Sequence, residues 1–370
     1  MIETRAAVLT EIGGSLSIET VIYDEPQPHE VVVEVSAAAL CHSDLISFTS
    51  SRTTVPLIAG HEASGTVRQV GSAVAGLTPG DQVLFNYIPS CGVCWSCQRG
   101  RPVDCVRGMG SDGLALSDGT TRGHLADGTG VRQMTRLGAF AEHTVVHEDS
   151  CLKVPAGTDP RAAALLACGF MTGAGSAINA AGTELGDVVV VVGTGGVGTA
   201  AVQGARAAGA SSIIAVDIHD SKLEAVRQFG ATHTINASTT DWVTQVKEIT
   251  DGHGADKALM CAGISKPEQV NELMKSLRTG GTGVLVGASI GVPALTVSPF
   301  EFTSTHKTLK GSTYGSDNPA RDQLRFLELY NAGKLDLDAM ITNVYKLDQV
   351  NEAIADLKAG KNIRGLISLS

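Results

Sequence analysis

Val188-Val-Val-Val-Val192 runs straight into Gly193-Thr194-Gly195-Gly196-Val197-Gly198, and the reading of this stretch decides the fold. Consecutive β-branched residues closed by a glycine suit a strand buried on both faces. A glycine-rich turn follows, and then small residues up to Ala208 that suit a helix. In a chain with 43 glycines the pattern alone is weak, so its context carries the weight. A strand precedes it, a helix follows, and Asp217 stands nineteen residues beyond Gly198 at the end of the next apolar run, Ser212 to Val216.

Glycines at 193, 195 and 198, with Gly196 and Val197 in the same turn, let the backbone approach a pyrophosphate, which the positive end of the helix then stabilises. Asp217 can accept hydrogen bonds from both adenosine ribose hydroxyls while repelling a 2′-phosphate. Ile218 and His219 follow it without an Arg to receive such a phosphate. The expectation is NAD(H) rather than NADP(H).

Outward from this unit the texture continues as strand and helix in alternation. A helix from Ser221 to Phe229 stops at Gly230; strands are expected at Thr234 to Asn236, Ala258 to Cys261, Gly283 to Val286 and Thr308 to Lys310, and helices at Trp242 to Thr250 and Glu268 to Leu277. Such alternation predicts a doubly wound parallel sheet covered on both faces. Before about residue 150 the chain shows short β-type runs instead, Val31 to Val35, Gly65 to Val70 and Asp81 to Phe85, cut by turn signals such as Thr78-Pro-Gly80. After about residue 313 it returns to mixed texture, with helices near Arg321 to Ala332 and Leu347 to Ala359 and a strand around Gly365 to Ser368. The α/β domain therefore reads as an insertion into a mostly β domain, with boundaries at 1–170, 171–313 and 314–370.

Cysteine placement adds the chemistry. Cys91, Cys94, Cys97 and Cys105 are separated by two, two and seven residues, so one loop can close around a tetrahedral thiolate site that leaves no position for substrate. Cys41, His61 with Glu62, and Cys168 form a scattered second set that can leave a coordination position open. Two zinc ions per chain are expected, one structural and one catalytic. Cys151 and Cys261 have no such partners and read as structural thiols.

Composition excludes several classes. A net charge of −10 without a basic run argues against nucleic-acid or anionic-membrane partners. Eight cysteines in 370 residues, six with ligand placements, fit a reducing cytoplasm rather than a disulfide scaffold. The first thirty residues carry Glu3, Arg5, Glu11 and Glu19 and no apolar stretch of signal type. Ala162 to Thr183 is uncharged, but its side chains are too small for a membrane span and it reads as a buried domain junction.

Taken in order, Cys41-His42-Ser43-Asp44, Gly60-His61-Glu62, the four-cysteine loop, Ala167-Cys168-Gly-Phe-Met-Thr172-Gly, the Gly193 turn with Asp217, and Lys361-Asn-Ile-Arg364 resemble the zinc-containing medium-chain alcohol dehydrogenases over nearly the whole chain. The resemblance implies a GroES-like catalytic domain carrying a Rossmann domain, with Cys41, His61 and Cys168 on catalytic zinc and Cys91, Cys94, Cys97 and Cys105 on structural zinc. It also implies that Ser43 touches the substrate oxygen and begins proton export, and that Glu62 relays or binds metal transiently during ligand exchange. Asp44 would fix the His61 tautomer. His42 matches a position that contacts the cofactor pyrophosphate and is an alternative acceptor for the exported proton. Thr172, Lys222 and Arg364, with Val286, match cofactor-contacting positions.

Many relatives place a His where this chain has Ile46, so the proton route must end in water or at another group. The loop with Asp118-Gly-Thr-Thr-Arg122 and the stretch Leu137 to Val146 resemble the longer, dimer-type chains, including bacterial nicotinoproteins that retain their cofactor. The expected function is reversible hydride transfer between a primary or secondary alcohol and NAD by a cytoplasmic homodimer. Tyr87 suggests a slot for a bulky or aromatic alcohol. The alternatives are a zinc-containing reductase of conjugated carbonyl or iminium substrates and a non-catalytic nucleotide-binding relative.

Overall fold

Three strand ends meet because of how the strands are paired, and this places most of the site. In the computed structural model, which describes residues 1–109, 119–287 and 291–369, the strand Glu30–Ala39 pairs antiparallel with Glu62–Val70, Ala39 opposite Glu62. It also pairs antiparallel with Arg364–Ser368, Ala39 opposite Leu366. Continuing both registers past Ala39 brings Cys41 toward His61 and Arg364. Val31, Val33 and Val35 on the central strand are wholly or almost wholly buried in one core and Val32 in another, so both faces of this strand are covered.

These strands belong to a seven-stranded sheet that also includes Gln82–Phe85, His143–His147, Cys151–Lys153 and Ile341–Lys346. A small closed barrel of Ile2–Leu9, Leu16–Tyr23, Gly123–His124, Gly130–Gln133 and Leu57–Ile58 accompanies it. Leu9, Val33, Phe85, Phe140 and Ile367 share one buried core, each contributing about 1.5–3 kcal/mol by removal from water. The first two barrel strands are additions to the sequence expectation. Their polar residues Glu3, Arg5 and Glu19 break the apolar runs that mark a strand, yet Glu3 and Arg5 alternate with buried Thr4 and Ala6, and Glu19 pairs opposite Ala6.

The second unit is built on six parallel strands, Val188–Val192, Ser212–Asp217, His233–Asn236, Ala255–Met260, Leu277–Leu285 and Thr308–Gly311. In chain order their spatial sequence is third, second, first, fourth, fifth, sixth. The order reverses beside the first strand, and ligands bind doubly wound sheets at the carboxyl ends of strands flanking such a reversal. The helices Gly196–Ala207, Asp220–Arg227, Trp242–Ile249 and Pro267–Ser276 fall where the sequence places them, within a few residues. The helix Gly169–Gly175 packs on Gly196–Ala207 with backbones almost touching, since a Cβ on Gly173 would lie 2.0 Å from the Val197 carbonyl.

The chain divides into Met1–Cys168, Asn318–Glu328 and Leu337–Ser370 on one side and Gly169–Asp317 with Leu329–Asp336 on the other. Against the expected boundaries of 1–170, 171–313 and 314–370, the return is later and interrupted. Leu329–Asp336 stays with the nucleotide-type unit because Gln203 grips the Asp336 backbone, donating to its carbonyl at 3.1 Å and accepting its amide at 2.7 Å. Among the described residues no single helix is long and apolar enough to cross a membrane. Asp118 lies outside the described residues.

Candidate active site

Cys41 ends the segment after the strand Glu30–Ala39 and caps the helix His42–Thr49. His61 directly precedes the strand Glu62–Val70, and Cys168 sits between the helices Pro160–Leu166 and Gly169–Gly175. One donor atom from each of Cys41, His61, Glu62 and Cys168 lies within 4.8 Å of the others. All four side chains are buried. Two thiols, an imidazole and a carboxylate packed this closely away from water are a donor set that fits zinc.

The neighbours orient these donors. Asp44 Oδ1 lies 3.0 Å from His61 Nδ1, and its other oxygen accepts the Cys41 amide at 2.8 Å. With Nδ1 engaged by Asp44, Nε2 faces the thiols and is the nitrogen a metal ion would take. Ser43 Oγ lies 2.9 Å from Cys41 Sγ and 3.4 Å from His61 Nε2, beside the donor set. Tyr87 sets its ring edge-on to the imidazole at 5.6 Å. Arg364, expected at the cofactor, is buried and donates to Glu62 Oε2, so it is not a solvated surface charge. Glu62 Oε1 has no hydrogen-bond partner and is available to a cation.

The thiols are electrostatically unequal. A hydrogen bond from Cys168 holds the Cys41 thiol well below its ordinary pKa, with His61 and Arg364 adding to the effect against burial. The same bond, together with burial, pushes Cys168 up. Thiols bind a metal as thiolates, so an arriving cation displaces their protons. Burial is the largest influence on His61 and opposes its charge, but Asp44 and Cys41 outweigh it and raise the pKa. Burial raises Glu62, with Arg364 opposing.

Cys91, Cys94, Cys97 and Cys105 also gather within 4.8 Å of one another. Backbone amides point at the sulfurs: Cys91 N–H donates to Cys105 Sγ and Cys94 N–H to Cys91 Sγ, both at 3.3 Å. The Cys97 and Val106 amides lower the Cys94 thiol to about 6, whereas burial, helped by Cys94, raises Cys97 to about 12. Four sulfurs gathered without another His, Cys, Asp or Glu donor among the described residues make a closed site that fits structural zinc.

In the second unit the glycine turn has the shape a dinucleotide needs. Gly193 has φ of +89°, and a Cβ there would lie 2.7 Å from the Ala262 nitrogen; one on Gly198 would lie 1.8 Å from the Gly193 carbonyl. Gly195, capping the helix Gly196–Ala207, has nothing within 4 Å of its Cβ direction, leaving room for a phosphate before the helix dipole. Thr172 Oγ1 is buried and lacks a hydrogen-bond partner. Asp217 ends its strand with both oxygens engaged, Oδ2 by the Thr194 amide at 2.8 Å and Oδ1 by the Ile218 amide at 2.8 Å. Val286 donates its amide to Met260, while Lys222 is half-buried on the following helix and His42 is exposed on its own. Ile218, 59% exposed, follows the strand end at Asp217, and Ile264, 63% exposed, lies in the loop after the strand end at Met260. The sequence reading did not single out Ile264, which lies four residues beyond the strand end at Met260 where no local pattern marks it.

The pattern of the alcohol dehydrogenase GroES-like domain matches residues 27–156, and that of the zinc-binding dehydrogenase matches residues 196–329. The NDMA-dependent alcohol dehydrogenase of Amycolatopsis methanolica is 40% identical over 368 residues, 99% of this chain and 98% of its own. The chain belongs to the zinc-containing medium-chain alcohol dehydrogenases. Benzyl alcohol dehydrogenase from Acinetobacter calcoaceticus matches with a TM-score of 0.93 at 32% identity, covering 100% of both chains. A zinc-binding dehydrogenase from Sinorhizobium meliloti, solved bound to NADP, matches with a TM-score of 0.80 at 26% identity over 100% of both chains. As a medium-chain alcohol dehydrogenase, the protein is an oxidoreductase that uses zinc and a nicotinamide cofactor on a small alcohol.

Proposed function

We propose that the protein interconverts primary or secondary alcohols, aromatic ones included, with their aldehydes or ketones, using NAD(H), one catalytic zinc on Cys41, His61 and Cys168, and one structural zinc on the four-cysteine lobe. The observation that carries this is the Ser43 hydroxyl, 2.9 Å from Cys41 Sγ and 3.4 Å from His61 Nε2, beside a buried donor set. Zinc, when bound, supplies the Lewis acidity that lets an alcohol lose its hydroxyl proton near neutral pH, and the nicotinamide accepts the hydride.

The residues do the rest. Ser43 both accepts and donates, so it takes the substrate's proton and passes one on. Asp44 keeps His61 in the tautomer that presents Nε2. The edge of Tyr87 against His61 gives an apolar wall that suits an aromatic alcohol, as the benzyl alcohol dehydrogenase likeness supports. The phosphates would lie on Gly193 to Gly198, with Thr172, Val286, Lys222, His42 and Arg364 as further cofactor contacts. Asp217 supports NAD over NADP by its charge at the ribose position.

The likeness to an NDMA-dependent enzyme favours one refinement, that the nicotinamide stays bound and is reoxidised by an external acceptor. A homodimer fits the exposed Phe300 and, among the described residues, the edge strand Thr308–Gly311, and a cytoplasmic location fits the free cysteines. The test is a panel of benzylic, aliphatic and secondary alcohols with NAD and NADP, alongside metal analysis and assay of nicotinamide released on denaturation. Turnover only with NADP, or activity with less than two zinc per chain, overturns the corresponding part. Normal dependence on added NAD with no released nicotinamide overturns the refinement.

A further inference from the structure

Arg136 occupies a costly position for a charged residue. It is 9% exposed and has φ of +64°, and Thr135 before it has φ of +50°. Non-glycine residues avoid this left-handed region, and two in succession persist only where the surroundings hold them. The hold here is specific. Arg136 Nη1 donates to the Arg107 carbonyl at 2.7 Å and Nη2 to the Gly108 carbonyl at 3.1 Å. Those carbonyls end the short helix Val106–Met109, which leaves directly from Cys105, the last thiol of the lobe. Final-turn carbonyls have no partner within their helix, and the guanidinium supplies two donors. Against the same turn, a Cβ on Gly108 would lie 2.6 Å from Ile88 Cγ2, so the lobe's exit is held by Arg136 and packed on Ile88.

Both holds lead to His61. From Arg136 the chain passes through Gly138 to Ala139 and Phe140, whose amides donate to the carbonyls of Gly60 at 2.9 Å and Ala59 at 2.8 Å. The Phe140 ring fills the space where a Cβ on Gly60 would be, 2.4 Å from Cδ1, and Gly60 takes φ of +85° beneath it. His61 is the next residue. From Ile88 the preceding residue is Tyr87, whose ring lies edge-on to the His61 imidazole. Asp44 fixes one nitrogen of that imidazole, and these two contacts fix its backbone and one edge.

We propose that Arg136 is a positioning residue coupling the four-cysteine lobe to His61, so that a filled lobe sets the backbone at Gly60 and the edge contact of Tyr87 that together aim the imidazole. The proposal rests on His61 being a ligand of the catalytic zinc, as proposed above.

The experiment uses the full chain with zinc in the lobe and cobalt in the Cys41, His61 and Cys168 site, because cobalt's visible bands report ligand geometry without turnover. Lobe zinc is released with a thiol reagent and followed by a metal-sensitive dye; the half-exposed Cys91, Cys94 and Cys97 react before the buried Cys41 and Cys168. In the unaltered protein the cobalt bands should shift at the rate of lobe-zinc release. In Arg136→Met the bands should start shifted and change little on release, with kcat lower by roughly tenfold to a hundredfold. Arg136→Lys, which can reach one carbonyl, should restore part of both. Cobalt bands that stay fixed while lobe zinc leaves the unaltered protein, or native bands in Arg136→Met, overturn the coupling. If Arg136→Met does not fold, release from the unaltered protein decides alone. Absence of thiolate-to-cobalt charge transfer in the unaltered protein instead overturns the assignment of Cys41 and Cys168, and cobalt bands left unchanged by His61→Ala overturn that of His61, each a separate failure.

Discussion

The Arg364 guanidinium donates to Oε2 of Glu62 with both side chains buried, so the carboxylate beside the thiols is charge-balanced on one oxygen and bare on the other. Removing one partner strands the other's charge away from water. Arg364→Met should therefore destabilise the protein by about 3–5 kcal/mol, and adding Glu62→Gln should recover much of that loss. Urea unfolding of the two variants and the double variant checks it; equal losses in single and double variants would show that the charge balance is not what matters.

The two donor clusters predict different failures. Cys168→Ala should abolish turnover and leave the fold with roughly one zinc, because the four-cysteine lobe is untouched. Cys97→Ala should first lower the melting temperature, since a closed tetrahedral site contributes folding free energy directly. Metal content and thermal melts of both proteins decide it, and retained activity in Cys168→Ala would remove that thiol from the ligand set.

Much of this was readable beforehand, and the division has a physical cause. The parallel strands announced themselves because a strand buried on both faces is written as an unbroken run such as Val188 to Val192. The cysteine loop did so because its ligands are close in sequence. Arg136 on Arg107 and Gly108, Arg364 on Glu62, and Gln203 on Asp336 could not be read, since these partners lie 28 to 302 residues apart and no local pattern marks them. Cys168 stands between: alone it is an ordinary buried thiol, and only its neighbours in the resembling stretch single it out.

Cofactor choice should turn on the charge of Asp217, but its carboxylate also anchors the Thr194 amide. Asp217→Gly would strand that buried donor at about 1–3 kcal/mol and confuse the test. Asp217→Asn keeps an acceptor and removes the charge, so the ratio of kcat/KM for NADP over NAD should rise about tenfold, equivalent to about 1.4 kcal/mol. A ratio unchanged in the folded variant would place the ribose selectivity elsewhere.

Ile46 lies one helical turn beyond Ser43 on the helix His42–Thr49 and is half-buried. It can neither accept nor donate a proton. Ile46→His should raise alcohol oxidation near neutral pH more than at alkaline pH, with zinc content unchanged. Rates measured from about pH 6 to pH 9, under conditions where the hydride step shows a deuterium isotope effect, check this; superimposable profiles would mean that the position carries no proton.

Acid sensitivity of the parallel sheet should involve Asp256, whose oxygens accept the Val188 amide at 2.8 Å and Arg278 Nε at 2.5 Å. Burial is the largest single influence and raises its pKa, but the Val188 amide and Arg278 together outweigh it and the net direction is down. A depressed folded pKa gives stability that is present above the unfolded value of about 4 and is lost as pH falls through the folded one. Asp256→Ala should cost about 1.5–3 kcal/mol at pH 7. The gap from the unaltered protein should narrow below about pH 4, and urea midpoints across that range measure it.

The near contact of Gly173 with the Val197 carbonyl, and of Gly204 with Ala174, bears on how the chain is made. The helix Gly169–Gly175 leaves the ribosome before the helix Gly196–Ala207 that covers it. A segment that packed through large side chains would present a sticky surface during that wait. Phe170 and Met171 lie in this helix, but where it meets Gly196–Ala207 it offers Gly173 and Ala174, which expose little apolar area and give that contact little to aggregate with beforehand. Its binding comes from close backbone approach, available only once the partner exists. Enlarging Gly173 would thus both spoil the mature contact and give the unfinished chain something to stick by.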